Sequence, residues 1–294
     1  MNEARLHRRV PLRDKIRGAM QILRPELPAA AGMCVVIGEV VALGSLPSLA
    51  DVALGFLCGF WLSASALVTN DYFDLAVDRI NAPQRPLPSG LLTGTEAMIL
   101  GLLTGLAGLF AAWAFYPPAA GISLVVWVLG FVYNWKLKSA GLWGNLVVCA
   151  SVAMTFLLGG IGVGQAWNPL VWIFALIAFF FDLAEEIAGD AMDAAGDKQR
   201  GSRSIAIQFG RSAALRLSAI LFGLVVVLSF LPAVWGQFGL AYLLPILLMD
   251  VLIVVFTVRL LQSRTPEQGR RAMRVLYIGA SLGLLAFLIA ALIV

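Results

Sequence analysis

With 294 residues, 60% of them hydrophobic and 13% charged, the chain carries far less charge than a water-soluble domain, for which about 25% is usual. That composition excludes a disordered chain and a disulfide-stapled secreted domain, and the net charge of +4 is too small and too locally placed for a nucleic-acid binder. The chain reads as an all-α polytopic membrane protein lying in the lipid bilayer, so its function has to be sought in the polar residues the bilayer tolerates.

Residues 1–24 form a basic tail containing Arg5, Arg8, Arg9, Arg13, Lys15, Arg17 and Arg24. It has no compact apolar run, so no cleavable signal peptide is expected. His7, the single histidine, lies in this tail, which argues against a histidine general base. Beyond it, segments near residues 27–45, 51–70, 94–115, 119–136, 143–164, 168–186, 212–234, 238–260 and 273–293 each approach the roughly 20 apolar residues a spanning helix needs. The expectation is nine transmembrane helices in one bundle, a single membrane-embedded domain over 1–294. Cys34, Cys58 and Cys149 fall inside apolar runs without metal-ligand spacing and read as small core residues.

With the tail in the cytoplasm, every even-numbered span ends on the cytoplasmic side. All 21 Lys and Arg residues then fall on that side: seven in the tail, and the rest after spans 2, 4, 6 and 8. This is the pattern the positive-inside rule requires. The acidic residues are as uneven, since nine of the 17 lie in Asp71–Asp78 and Asp182–Asp197, both on that face.

These two stretches carry the chemistry. Asp71, Asp74 and Asp78 stand at i, i+3 and i+7, with Asn70 four residues before Asp74; Asp190, Asp193 and Asp197 repeat the spacing after span 6. On a helix each set is expected to share one face. Stacked carboxylates repel unless a cation intervenes, and all-oxygen donors suit a hard ion such as Mg²⁺, which is commonly held by a few carboxylates together with phosphate oxygens. The expected metal ligands are Asn70, Asp74, Asp78, Asp190, Asp193 and Asp197. The expected ligand is a phosphate or diphosphate, with Arg79, Arg85, Lys198, Arg200 and Arg203 on its oxygens.

The stretch NDYFDLAVDRINAPQRPLPSG from Asn70 to Gly90, YNWKLK from Tyr133 to Lys138, GN at Gly144 and Asn145, and GDKQRGSRSIAIQFG from Gly196 to Gly210 together resemble the UbiA superfamily of intramembrane prenyltransferases over nearly the whole chain. The resemblance implies Mg²⁺-dependent transfer of a prenyl group from an allylic prenyl diphosphate, geranylgeranyl diphosphate above all, to a lipophilic acceptor. It is strongest to the branch that prenylates glycerol phosphates, which implies a prenylated glycerol phosphate as acceptor; an aromatic quinone precursor or a chlorophyllide-type molecule is the alternative. It further implies Asn145 at the substrate, Tyr133 and Lys138 against the diphosphate or the developing cation, and Asp71 orienting or deprotonating the acceptor, with no obligate protein partner. Members of that branch commonly carry a basic residue where Glu185 stands and Lys where Gly189 stands, so both departures remove positive charge; Asn134 stands where Ser is frequent.

A divalent-cation transporter is the competing reading from another class. Against it, the carboxylates crowd one membrane face, and only Glu39, Asp182 and Asp250 fall deep in apolar runs. Glu39 and Asp250 are expected to be bonded to Ser, Thr or backbone partners, with a place at the acceptor site as the alternative.

Overall fold

The computed structural model describes residues 10–199, 201–234 and 240–293, and the side chains of all of these except 81, 195–199, 240–242 and 290–293. Regular structure among them is entirely helical. The order is α1 (Leu12–Leu23), α2 (Glu26–Leu43), α3 (Leu49–Phe73), α4 (Leu75–Asn81), α5 (Gly94–Phe115), α6 (Pro117–Val132), a π turn (Tyr133–Leu137), α7 (Leu142–Gly162), α8 (Pro169–Gln199), α9 (Ile205–Phe209), α10 (Arg211–Ser229), α11 (Leu231–Val234), α12 (Leu240–Gln262) and α13 (Pro266–Ile293).

Eight of the described stretches are long and apolar enough to cross a membrane: α2, α3, α5, α6 with the π turn, α7, α10 with α11, α12 and α13. The protein is an integral membrane protein. The span expected near 168–186 is the N-terminal part of α8, and it differs from the others in holding Asp182, Glu185 and Glu186 within one turn and a half. Large apolar side chains on the outer surface, such as Phe110, Trp113, Val125, Ile220 and Leu248, are exposed, as expected where the solvent is lipid.

Lipid tails are as apolar as the helices, so helix association rests on close packing and a few hydrogen bonds. α2 packs between α3 and α7, and α8 between α7 and α10. The α2–α7 approach depends on Gly159, where a Cβ would lie 2.1 Å from the Val35 carbonyl oxygen. Ser65 ties α3 to both neighbours: its hydroxyl donates to the Gly101 carbonyl at 2.6 Å and accepts from Trp127 Nε1 at 2.8 Å. Gly159→Ala should therefore cost about 1–3 kcal/mol. The same change at Gly121, whose Cβ would meet nothing within 4 Å, should cost no more than about 0.5 kcal/mol. Thermal unfolding in detergent compares the two, and equal midpoints would refute the packing argument.

All six ion pairs between described residues lie at one end of the bundle, the end expected to be cytoplasmic. α5 begins there with a capping box in which Thr93 and Glu96 satisfy each other's backbone N–H groups, and Lys15 of α1 pairs with Glu96. Leu87 and Leu92, on the loop after α4, are buried with Ile22, Val68 and Ala97. That small core seats α1 and the loop over the ends of α3 and α5. Away from this end, Asp250 accepts from Ser229 at 2.8 Å as expected, but both carboxylate oxygens of the fully buried Glu39 lack a hydrogen-bond partner. The expected Ser or Thr partner for Glu39 is absent because α3 presents a glycine, Gly55, to it: a Cβ there would lie 1.8 Å from Glu39 Oε1.

Candidate active site

The first acidic stretch spans the junction between α3 and α4 at Asp74, which closes α3 at φ −83° and ψ −1°. Helical backbone bonds from Asp74 to Asn70 and from Asp78 to Asp74 run through the junction, and the residues expected to share one face meet cations on two sides. On one, Lys138 Nζ donates to Asn70 Oδ1 at 2.7 Å and pairs with Asp74, while Asn70 Nδ2 donates to Asp74 Oδ2 at 3.3 Å. On the other, Arg85 bridges Asp78 at 2.7 Å and Asp71 at 3.6 Å. Burial opposes the Arg85 charge, yet Asp78, Asp71 and Asp74 outweigh it and push its pKa up.

Asp71 is 2% exposed, and both its oxygens accept from Arg24 Nη2, at 2.5 and 2.7 Å. Arg24 is the one described non-glycine residue at positive φ, 44°, where α1 ends. That αL turn aims its side chain back at α3. The carboxylate expected to face an acceptor is held here by the end of the N-terminal segment.

Lys138 is delivered by the π turn, whose extra residue re-aims the end of α6; such bulges are frequent at functional sites. Gly144 lets α7 approach it, since a Cβ there would lie 2.6 Å from the Leu137 carbonyl oxygen. The next residue, Asn145, then donates to Asp190 Oδ2 at 2.9 Å. Asn134 is buried and donates to Thr69 Oγ1 at 3.4 Å.

Lys138 at the end of the π turn thus holds Asp74 of the first stretch, and Asn145, next to the Gly144 that packs against the Tyr133 ring, holds Asp190 of the second, so the turn and the start of α7 link the two acidic stretches. Asp193 is exposed and pairs with Arg270 of α13. Arg79 and Arg203 are exposed, and the Arg203 backbone is held to Ser139. The side chains of Asp197 and Lys198 and the whole of Arg200 and His7 lie outside the described residues.

Among the described residues no three Asp, Glu, His or Cys side chains converge into a metal cage. The donor chemistry nevertheless fits Mg²⁺. Asn70, Asp74, Asp78, Asp190 and Asp193 offer only oxygen ligands, and their present partners are cations or amides. Those are the contacts a metal and its bound anion would replace.

Beneath this mouth lies an apolar chamber of about 470 Å³, walled by α2, α7, α8, α10, α12 and α13, with Phe156, Phe174 and Phe181 among its side chains. A second, polar cavity of about 340 Å³ holds Asp182, Glu185, Glu186, Asp190 and Asp193. Asp182 and Glu185 line both, so the two cavities adjoin there. The spacing of the second stretch pointed to Asp190, Asp193 and Asp197; Glu186 gave only the signal of lying one turn before Asp190.

The profile described as the UbiA prenyltransferase family matches residues 31–280. The digeranylgeranylglyceryl phosphate synthase of Thermococcus kodakarensis is 36% identical, over 95% of this chain and 99% of its own length. That of Pyrococcus furiosus is 33% identical over 95% and 98%. Among solved structures, one of digeranylgeranylglyceryl phosphate synthase superposes with a TM-score of 0.76 at 28% identity, covering 96% of this chain and 100% of that one. A UbiA homolog from Archaeoglobus fulgidus bound to GPP and Mg²⁺ shares the fold, with a TM-score of 0.65 at 20% identity over 94% and 100%.

Proposed function

The chain belongs to the UbiA prenyltransferase family, and from that premise we propose that it transfers the prenyl group of an allylic prenyl diphosphate to a lipophilic acceptor. The observation that carries this reading is the pair of acidic stretches linked through Lys138 and Asn145, with an apolar chamber reaching Asp182 and Glu185 beside the second of them. We read the whole chain as one domain with α8 as the ninth span, and the mouth as cytoplasmic because the basic residues gather there.

Mg²⁺ would be held by Asn70, Asp74, Asp78, Asp190, Asp193 and Asp197, and when bound it supplies positive charge to the diphosphate oxygens. Lys138 and Arg85, already at the mouth, turn to the diphosphate as it arrives and stabilise it as it leaves; Arg79 and Arg203 are exposed, and they are proposed, with Lys198 and Arg200, whose side chains lie outside the described residues, to contact its oxygens. Asn145 fixes the Asp190 carboxylate. The aromatic face of Tyr133 stabilises the allylic cation as the C–O bond breaks. The chamber takes the hydrocarbon and keeps water from that cation. Asp71, held by Arg24 and Arg85, acts by fixing the first stretch.

The relatives' name describes a glyceryl phosphate bearing two geranylgeranyl groups, which makes geranylgeranyl diphosphate the donor to test first and a prenylated glycerol phosphate the acceptor that kinship suggests. The test is a radiolabelled transfer assay with purified protein, Mg²⁺ and geranylgeranyl diphosphate against glycerol-lipid, quinone-precursor and chlorophyllide acceptors. Label should enter a lipid product in at least one case. Metal flux through liposomes without diphosphate, and no labelled product, would establish a transporter instead.

A further inference from the structure

The junction of the two cavities has an unusual chemistry for a site expected to take a phosphorylated acceptor. Asp182 and Glu185 are its charged side chains, and neither cavity is lined by a described Lys or Arg. The Cys149 thiol hydrogen-bonds to the Asp182 carboxylate, but Asp182 Oδ2 is enclosed and has no hydrogen-bond partner, an arrangement that costs free energy until something donates to that oxygen. Neither carboxylate belongs to the metal set. Asp182 and Glu185 precede Asp190 by eight and five residues on one helix, roughly 12 Å and 7.5 Å along the axis. A cation at the mouth would leave them uncovered.

We infer that the acceptor's head group is uncharged and donates a hydrogen bond, as an alcohol or phenol hydroxyl does, and that Asp182 and Glu185 receive it at the top of the chamber. This rests on the prenyl-transfer reading and sets an uncharged acceptor in place of the phosphorylated one that kinship suggests. A second phosphate, or a carboxylate, brought to this junction would meet two carboxyl groups, while Lys138 and Arg270 at the mouth are already paired with Asp74 and Asp193, and like charges juxtaposed in an interface are strongly disfavoured. A hydroxyl would satisfy Asp182 Oδ2 and hold its own oxygen near the C–O bond that breaks. Asp182 and Glu185 are thus positioning and selecting residues.

Two acceptors with the same tail separate the possibilities: geranylgeranylglycerol and geranylgeranylglyceryl phosphate, each given to the purified full-length protein with Mg²⁺ and geranylgeranyl diphosphate. The uncharged acceptor should be preferred by about 100-fold in kcat/KM. Glu185→Arg should narrow that ratio by about 10-fold or more, chiefly by lowering KM for the phosphate, and Asp182→Asn should raise KM for the hydroxyl acceptor. Donor binding measured by calorimetry reports whether each variant is folded, and the wild-type ratio decides the matter if one is not. Equal or better use of the phosphate by the wild-type protein would overturn the inference while leaving prenyl transfer intact. Transfer to neither acceptor would count against the inference and the function together.

Discussion

Replacing Asp74 with alanine should lower kcat/KM for prenyl transfer by about 10²–10³-fold, the range seen when one preorganised electrostatic group is removed from a reacting site. Asp74 sits where α3 gives way to α4 and shares Lys138 with Asn70. Without it the first stretch loses the carboxylate that holds Lys138 at the mouth. The fold should survive: Asp74 and Lys138 keep 16% and 29% of their side-chain surface, and partly solvated pairs of this kind contribute about 1 kcal/mol or less. The loss is offset by relief of repulsion among the neighbouring carboxylates. Asp193→Ala should act in the same direction from the other helix. Asp250→Asn, which leaves the Ser229 contact in place, should not alter transfer. Near-wild-type turnover of both Asp74→Ala and Asp193→Ala at saturating Mg²⁺ would rule out the proposed diphosphate site.

What the sequence reveals of this site is whatever is local. Hydropathy separates the spans because a bilayer imposes length and apolarity one segment at a time. Matching Asp spacing marks the two stretches, and one-sided Lys and Arg place them at one end. What it hides is set by partners far apart in the chain. Arg24 meets Asp71 across 47 residues, Asn145 meets Asp190 across 45, and Arg270 meets Asp193 across 77. No spacing rule relates such positions. Ideal helical periodicity puts Asp71, Asp74 and Asp78 on one face, but it cannot say which cation each of them takes, Arg24, Lys138 and Arg85 respectively. Glu39 fails for a related reason: its surroundings depend on which residue of α3 faces it, and that residue is a glycine.

The Lys138 ammonium fixes how donor and metal must depend on each other. In this structure it occupies Asp74 and Asn70, so Mg²⁺ arriving alone has to displace a cation that gains nothing in return. Prenyl diphosphate arriving alone meets five described Asn and Asp donors with no metal among them. Together they resolve both difficulties: the metal takes the carboxylates, and Lys138 is released onto the diphosphate oxygens. Binding should therefore be positively coupled, and linkage makes the effect reciprocal, with each ligand tightening the other by the same factor, typically about 5- to 150-fold. Lys138→Met gives the diagnostic result. With the internal cation gone, Mg²⁺ should bind more tightly in the absence of donor, the coupling factor should shrink, and turnover should fall because the departing diphosphate has lost its ammonium. A prenyl monophosphate, with fewer oxygens, should couple more weakly in the wild-type protein. Calorimetric titration in detergent measures each quantity. Donor affinity that is the same in Mg²⁺ and in EDTA would mean that the acidic stretches do not hold the diphosphate through metal, and unchanged metal affinity in Lys138→Met would mean that the ammonium does not compete for their carboxylates.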